Sequence, residues 1–250
     1  ASSVIQILGF KLSSKKPDPE HPFGHGRIEY ISGLIISFLI LLMGFELLKS
    51  SVGAILHPQS LALNTFSVIA MIFAILVKLY MMIYNLSIAK KINSVSMKAT
   101  ATDSFFDCIS TFLVLLSLIL SNFTTLSVDG IAGVVVSLFI LYGGLSSAFE
   151  TIEPLLGTSP DKDFVLQIEK ELLNHKPIVG MHDLVIHDYG PGRLMISLHA
   201  EVPGNMNIFE IHDAVDVAEV SIAQKFNCHV VIHMDPIDTE NEDLKQYKLM

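Results

Sequence analysis

Residues 102–128 read TDSFFDCISTFLVLLSLILSNFTTLSV, and no charged residue follows Asp107 within this stretch. A helix that crosses the hydrocarbon core of a bilayer needs about 20 mostly apolar residues. The stretch meets that requirement and begins with two carboxylates four residues apart. We therefore predict a membrane-spanning helix that carries Asp103 and Asp107 on one face.

Three further segments have the length and hydropathy of spanning helices, namely residues 30–56, 64–89 and 129–149. Charged residues make up 16% of the chain, against about 25% in soluble domains. The apolar run at residues 1–10 is too short to span, and we interpret it as the end of a helix that starts upstream of Ala1. The fold expected for residues 1–159 is a polytopic helical membrane domain.

The links between these segments differ in charge. The links at residues 11–27 and 90–98 are basic, and they contain Lys11, Lys15, Lys16, Arg27, Lys90, Lys91 and Lys98. The other two links have almost no basic residue. Since cytoplasmic links carry the excess of Lys and Arg, we expect the basic links, and everything after the fourth span, to be cytoplasmic.

The whole formal charge lies in the last part of the chain. Residues 1–159 contain nine acidic and nine basic side chains, whereas residues 160–250 contain 16 acidic and 7 basic ones, a net charge of −9. This shift predicts a separate domain at residues 160–238 and a polar tail at 239–250. Such an acidic surface repels nucleic acid.

Periodicity within this acidic domain alternates between helix and strand. It predicts helices at residues 161–174 and 208–226, and strands at 182–187, 194–202 and 228–234. The order helix, strand, strand, helix, strand is typical of a small α+β layer of the ferredoxin-like kind. We expect the domain to be soluble on its own.

Three groups of residues suggest metal binding. The first is Asp103 with Asp107, because a carboxylate inside a bilayer is costly and usually functional. Its oxygen ligands favour hard ions such as Mn²⁺, Mg²⁺ or Fe²⁺. The alternative is that Asp103 lies at the headgroup level and caps its helix.

The second group is Asp18, His21 and His25, in a loop whose prolines and glycines disfavour a helix. A carboxylate and two imidazoles can converge on one ion in a tight loop, although these are also ordinary turn residues. The third group lies in the acidic domain, where the carboxylates Asp183 and Asp235 accompany six histidines: His182, His187, His199, His212, His229 and His233. Its alternative reading is a set of unpartnered surface histidines.

Several catalytic motifs are absent from the sequence. It contains no GxxxxGK[ST] loop, no GxSxG elbow and no HExxH helix, which argues against ATP coupling and against a membrane metallohydrolase. Cys108 and Cys228 lie far apart in different segments, so a disulfide framework is not expected. An ion transporter is favoured over an enzyme.

The motifs in combination resemble the cation diffusion facilitator family. The string HPFGHGRIEY at 21–30 is similar to the link that follows that family's second helix, and Asp103-x-x-x-Asp107 is similar to its fifth-helix motif. DGIAG at 129–133 resembles the sixth helix. MHDL at 181–184, YGPGR at 189–193 and VIHMDP at 231–236 resemble the family's cytoplasmic domain.

The resemblance implies a six-helix homodimer in a plasma membrane, here taken as bacterial, that exports divalent metal ions in exchange for protons. It implies a transport site with two ligands from the second helix, expected upstream of Ala1, and two from the fifth. It also assigns a loop metal site to Asp18, His21 and His25, and domain-interface metal positions to His182, His199, His212, His233 and Asp235. No organic cofactor is implied.

Asp103 occupies the position where zinc-type members carry histidine. The resemblance is therefore to the manganese-type branch, with Mn²⁺ favoured and Fe²⁺ or Zn²⁺ as alternatives. A different class of function stays open at this point. The chain could be a membrane-anchored metal sensor or scaffold that works through its cytoplasmic domain and moves no ion.

Overall fold

The computed structural model describes residues 2–57, 65–120 and 128–237. The chain divides into two compact units, Ala1–Leu156 and Gly157–Met250. Each unit has its own core, and each is described by itself below. The polar tail predicted at 239–250 lies outside the described residues.

All the regular secondary structure described in the first unit is helical. Its helices are α1 (Ser2–Ser13), α2 (Ile28–Leu56), α3 (Thr65–Ile92), α4 (Val95–Leu120) and α5 (Val128–Leu156). Within the described residues, four segments are long and apolar enough to cross a membrane: Ile28–Leu56, Thr65–Ile92, Val95–Leu118 and Gly130–Leu156. The prediction of four spans is confirmed, and the chain is an integral membrane protein.

Two predicted span boundaries were wrong. The helix predicted at 102–128 already begins at Val95, and the one predicted to end at residue 149 continues to Leu156. Both extensions are polar enough to fall outside a hydropathy window, and they pair with each other through Lys98 and Glu150. The apolar stretches in the sequence therefore underestimate the length of both helices.

Small residues allow α2 and α5 to pack closely. A Cβ atom at Gly44 would lie 3.1 Å from Ile140, and one at Gly144 would lie 3.0 Å from Leu41. In a bilayer, helices associate through such close backbone approach, because apolar side chains gain nothing by leaving lipid. A buried hydrogen bond from Ser37 Oγ to Ser147 Oγ, 2.8 Å long, joins the same two helices.

Helix α3 packs against α4 and is otherwise peripheral. None of the residues in its most apolar 18-residue window is buried within the protein. Large apolar side chains such as Phe66, Phe73 and Leu76 are exposed along it. Such a surface suits lipid contact, so a charged residue on α3 needs a partner on α4.

The second unit has the predicted element order. It comprises α6 (Lys162–Leu172), β1 (Gly180–Asp188), β2 (Leu194–Pro203), α7 (Ile208–Phe226) and β3 (Cys228–Ile237). β1 pairs antiparallel with β2, and β2 pairs parallel with β3 through the α7 crossover. This small mixed sheet is the α+β architecture expected from the sequence.

The two faces of this sheet differ. Alternate residues of β2, from Ile196 to Val202, are buried, and they form one core with α6 and α7 that includes Ile168, Leu172, Val215 and Ile222. The other face is formed by the intervening residues, among them His199 and Glu201. Because side chains alternate along a strand, polar residues spaced two apart are gathered on that second face.

Candidate metal sites

The carboxylate of Asp103 lies inside the helical bundle. The residue is 8% exposed, and its Oδ2 accepts a short hydrogen bond from Ser2 Oγ of α1. A helix cap at the headgroup level would be solvent-exposed, so the burial favours the functional reading of this residue. Asp103 faces the contact between α1 and α4.

The carboxylate of Asp107 points to a different helix. Its Oδ2 forms an ion pair with Lys78 Nζ of α3, and the side chains of Asp107 and Lys78 are 27% and 33% exposed. Asp107 lies at the midpoint of α4, one turn further along than Asp103. The two carboxylates place two potential oxygen ligands on α4, and each contacts a neighbour that is not itself a predicted ligand.

The predicted loop residues come together before α2 begins. Asp18 Oδ1 lies 3.4 Å from His21 Nδ1, and Asp18 Oδ2 lies 3.4 Å from His25 Nε2. The two imidazole rings lie 4.4 Å apart between centroids. One potential ligand atom from each residue falls within 4.8 Å of the others, which is close enough for a shared ion.

Backbone hydrogen bonds fix this loop. Asp18 Oδ1 accepts from the amides of Glu20 at 3.1 Å and His21 at 2.7 Å, and Gly24 adopts a φ of 81° that favours glycine. The backbone hydrogen bond from His21, followed by the nearby charge of His25, lowers the pKa of the Asp18 carboxyl. Asp18 therefore stays ionised, as a metal ligand must.

The register of the sheet explains the second three-ligand group. His182 on β1 is opposite His199 on β2, which is opposite His233 on β3. The next row pairs Glu201 with Asp235. One face of three adjacent strands thus carries a row of three imidazoles beside a row of carboxylates.

Three of these side chains form the tightest cluster. His182 Nε2 lies 2.9 Å from Asp235 Oδ2, and the rings of His182 and His199 are 5.1 Å apart between centroids. Ligand atoms of His182, His199 and Asp235 fall within 4.8 Å of one another. The His233 ring lies 4.7 Å from that of His199, so it borders the cluster on the β3 side.

The remaining predicted residues lie elsewhere. His212, on α7, pairs with Asp216 at 3.2 Å and is exposed, so in one chain it is not part of the sheet cluster. Asp183 lies at an irregularity of β1 with a φ of 49° and is exposed. His187 and His229 flank Met195 in another row of the same sheet face.

Three contacting residues were missed by sequence reasoning. Ser2 and Lys78 hold the intramembrane carboxylates, and Glu201 Oε1 lies 3.2 Å from His182 Nδ1. Glu201 is two residues from His199 on one strand, so its place on the same face was predictable. Lys78 stood out as the single charge of its span, although its partner depends on how α3 packs on α4.

Comparison with known proteins agrees with this architecture. Residues 1–156 match the family model of the cation efflux transmembrane domain, and residues 160–237 match that of the cation efflux protein, cytoplasmic domain. A transporter of Methanocaldococcus jannaschii is 34% identical over 95% of this chain and 84% of its own length. The cation-efflux pump FieF of Shewanella oneidensis is 25% identical over 96% of this chain and 81% of its own.

The solved structures include a chain of the protein CzrB that is 26% identical to this one. It covers 32% of this chain and 99% of its own, with a TM-score of 0.30.

Spanning helices joined to a small α+β domain, with matches to both domains of the cation efflux proteins, define an integral membrane transporter of cations. The two family matches together cover nearly the whole chain. The chain belongs to the cation efflux family, also called the cation diffusion facilitators, and its function is cation efflux.

Proposed function

We propose that the protein exports divalent metal ions from the cytoplasm in exchange for protons, and that Asp103 and Asp107 provide half of the transport site. The observation that carries the proposal is the position of these two carboxylates, in the middle part of a spanning helix that packs against all four other described helices of its unit. A carboxylate in that environment is costly unless it binds a cation.

The ligand set favours Mn²⁺ as the exported ion. Both side chains contribute oxygen, which suits Mn²⁺, whereas Zn²⁺ in four-coordinate sites is well served by imidazole. Fe²⁺ and Zn²⁺ remain alternatives, since Zn²⁺ binds a given site more tightly than Mn²⁺ in the Irving–Williams order. The deciding quantity is the rate of transport and not static affinity.

Proton exchange follows from the same carboxylates. The lone pairs that bind a metal ion also bind protons, so protons arriving from the far side displace the ion. Alternating access would then expose the site to one side of the membrane at a time. The sequence contains no nucleotide-binding loop, so an ion gradient is the proposed energy source.

The C-terminal unit is proposed to regulate transport as a cytoplasmic homodimer. Its formal charge of −9 opposes the approach of a second copy. Metal bound by His182, His199 and Asp235, with His233 beside them, would offset that charge. His212 is exposed on α7 and is available to complete the site in a facing subunit.

The experiment is metal uptake into liposomes that contain the protein and an imposed pH gradient. We expect Mn²⁺ to accumulate while the gradient lasts and accumulation to stop when an ionophore collapses it. The matched comparison is Zn²⁺ under the same gradient. Flux that persists unchanged without the gradient would contradict antiport, and Zn²⁺ flux without Mn²⁺ flux would contradict the metal assignment.

A sensor or scaffold is the second candidate, and the preassembled sheet cluster is the observation that favours it. A sensor would bind metal at His182, His199 and Asp235 and change its dimer, yet would give no flux in any liposome experiment. If metal makes the dimer more compact but neither Mn²⁺ nor Zn²⁺ is taken up under the pH gradient, the sensor proposal would replace the transporter proposal.

A further inference from the structure

Lys78 is the basic residue of the helical unit that lies nearest to the middle of a spanning helix. It lies at the midpoint of α3, and no residue in the most apolar part of that helix is buried within the protein. A charged side chain at that depth is costly, and in membrane proteins it is paired or lines a polar path. In this structure it reaches across to α4 and pairs with Asp107.

The two partners match in depth as well as in charge. Asp107 is at the midpoint of α4, as Lys78 is at the midpoint of α3. A further contact nearby, from Cys108 Sγ to the Ile75 carbonyl at 3.6 Å, holds the same two helices together at this level. The packing of α3 against α4 therefore determines the position of the ion pair.

We propose that Lys78 is a tethered counter-cation of the transport site, whose ammonium occupies Asp107 until a divalent ion displaces it. This inference rests on the proposed function, because it takes Asp107 to be a ligand of the exported ion. The ammonium and the ion compete for the same oxygen, Oδ2 of Asp107. They also repel each other as like charges in a medium of low dielectric constant.

The competition has a use in a transport cycle. With Lys78 in place, the two carboxylates of α4 carry one uncompensated negative charge instead of two after the ion has left. The empty site is then less costly inside the bilayer, and a divalent ion is bound less tightly than two free carboxylates would bind it. Weaker binding favours release, which an exporter needs as much as capture.

The test is equilibrium binding of radioactive Zn²⁺ to the protein in lipid nanodiscs. All variants carry His25→Ala and His199→Ala, so that neither the loop group nor the sheet group contributes. We expect Lys78→Gln to lower the Kd on the order of tenfold, within the range typical of coupled sites, and Lys78→Arg to stay near the parent value. The matched control is Lys98→Gln, which breaks the α4–α5 ion pair with Glu150 and should leave the Kd unchanged.

Two results separate the inference from the function on which it rests. If Asp107→Asn does not weaken Zn²⁺ binding, Asp107 is not a ligand and the proposed transport site fails. If Asp107→Asn weakens binding but Lys78→Gln leaves it unchanged or weakens it too, Lys78 is a structural clip and the inference fails while the transport site stands.

A second measurement is made on the parent protein, so its result does not depend on whether a Lys78 variant folds. A membrane-permeant acylating reagent is applied to the parent protein with and without saturating Zn²⁺, and modification of Lys78 is read by mass spectrometry. Displacement from Asp107 should raise that modification severalfold, while modification of Lys98 stays constant. Equal labelling of Lys78 in both conditions would overturn the proposal.

Discussion

The helical unit and the C-terminal unit hold their carboxylates in opposite ways. In α4, Asp103 is bound by Ser2 and Asp107 by Lys78, neither of which is a predicted metal ligand. In the sheet, Asp235 contacts His182, which is itself a member of the same three-residue cluster. If both groups bind metal as proposed, an ion that enters the helices has to displace a partner, whereas an ion that reaches the sheet finds its ligands already assembled.

This difference distinguishes a group suited to releasing its metal ion from a group suited to keeping it. Preorganised ligands lose little entropy on binding and so bind tightly, which suits a regulatory ion that stays in place. Ligands with internal partners bind less tightly and release more readily, which suits an ion in transit. The loop group of Asp18, His21 and His25 belongs with the sheet by this criterion, because its carboxylate contacts its own co-ligands.

The largest expected effect is on the sheet cluster. Removing a side chain that binds the ion directly should lower the affinity by more than the roughly 10–100-fold typical of residues that only support a ligand. His199→Ala should therefore weaken Zn²⁺ binding by more than about 100-fold. Calorimetry on the isolated domain of residues 160–250 measures this. His187→Ala, on the same face but outside the cluster, is the control. An equal loss of Zn²⁺ affinity in the two variants would show that the cluster histidines bind metal no better than other histidines on the same face.

A smaller effect is expected from pH at the loop group. An imidazole must be neutral to bind a metal ion, while the pKa of Asp18 lies below its ordinary value of 3.8 because of the backbone hydrogen bond from His21. Acidification should therefore weaken loop binding through the histidines, and the Asp18 carboxylate should not contribute to that loss until the pH falls below 3.8. Titrations on a His199→Ala background measure it. Affinity that holds to pH 5 and falls near pH 4 would place the control on the carboxylate instead.

The next effect concerns metal choice in the helices. Asp103→His replaces an oxygen donor by a nitrogen donor, which should raise the ratio of Zn²⁺ to Mn²⁺ transport rates by about tenfold. Parallel initial rates in liposomes give this ratio. Ser2→Ala is the control, since it removes the hydrogen-bond donor to Asp103 without changing the donor atom. An unchanged ratio in the histidine variant would mean that Asp103 does not select the ion.

The smallest effect concerns stability of the C-terminal unit away from any metal site. Glu171 on α6 accepts from Ser221 at 2.6 Å and pairs with Lys225 at 2.5 Å, both on α7. Lys225, then Ser221, lowers the pKa of the Glu171 carboxyl. A lowered pKa stabilises the fold above the unfolded pKa, and that stabilisation is lost as the pH falls through the folded pKa.

Lys225→Ala should therefore lower the free energy of unfolding at pH 7 by about 1 kcal/mol or less, because Lys225 is half exposed. The difference from the parent should shrink as Glu171 becomes protonated below pH 4.5, which is its ordinary pKa. Urea denaturation of the domain at both pH values measures this. Lys170→Ala on α6 is the control. An equally large loss of stability in that variant would show that removing any positive charge has this effect, and that the contact between Lys225 and Glu171 is not responsible.

Much of the architecture was predictable because it depends on local periodicity. Four spans, the alternation in β2 and the helix at Ile208–Phe226 follow from spacing that a single segment contains. The sheet cluster was also partly predictable, since His233 and Asp235 share a strand face. The branch of the family and the exported metal remain predictions.

The partners of the intramembrane carboxylates could not be predicted in the same way. Lys78 and Asp107 are brought together by the rotation of α3 against α4, and Ser2 reaches Asp103 through packing of α1. Those rotations depend on contacts distributed over whole helices and not on any short motif. His212 illustrates the opposite limit, because one chain alone leaves it apart from the cluster that the resemblance assigned to it.

The most direct test of the transport site proposed on α4 is divalent metal flux in liposomes that contain either the parent protein or Asp107→Asn. Glu46→Gln, which neutralises an exposed carboxylate of α2, serves as the matched control. We expect pH-gradient-driven Mn²⁺ uptake by the parent and by Glu46→Gln, and loss of nearly all uptake in a correctly folded Asp107→Asn. Normal uptake by Asp107→Asn would contradict the assignment of the transport site to α4.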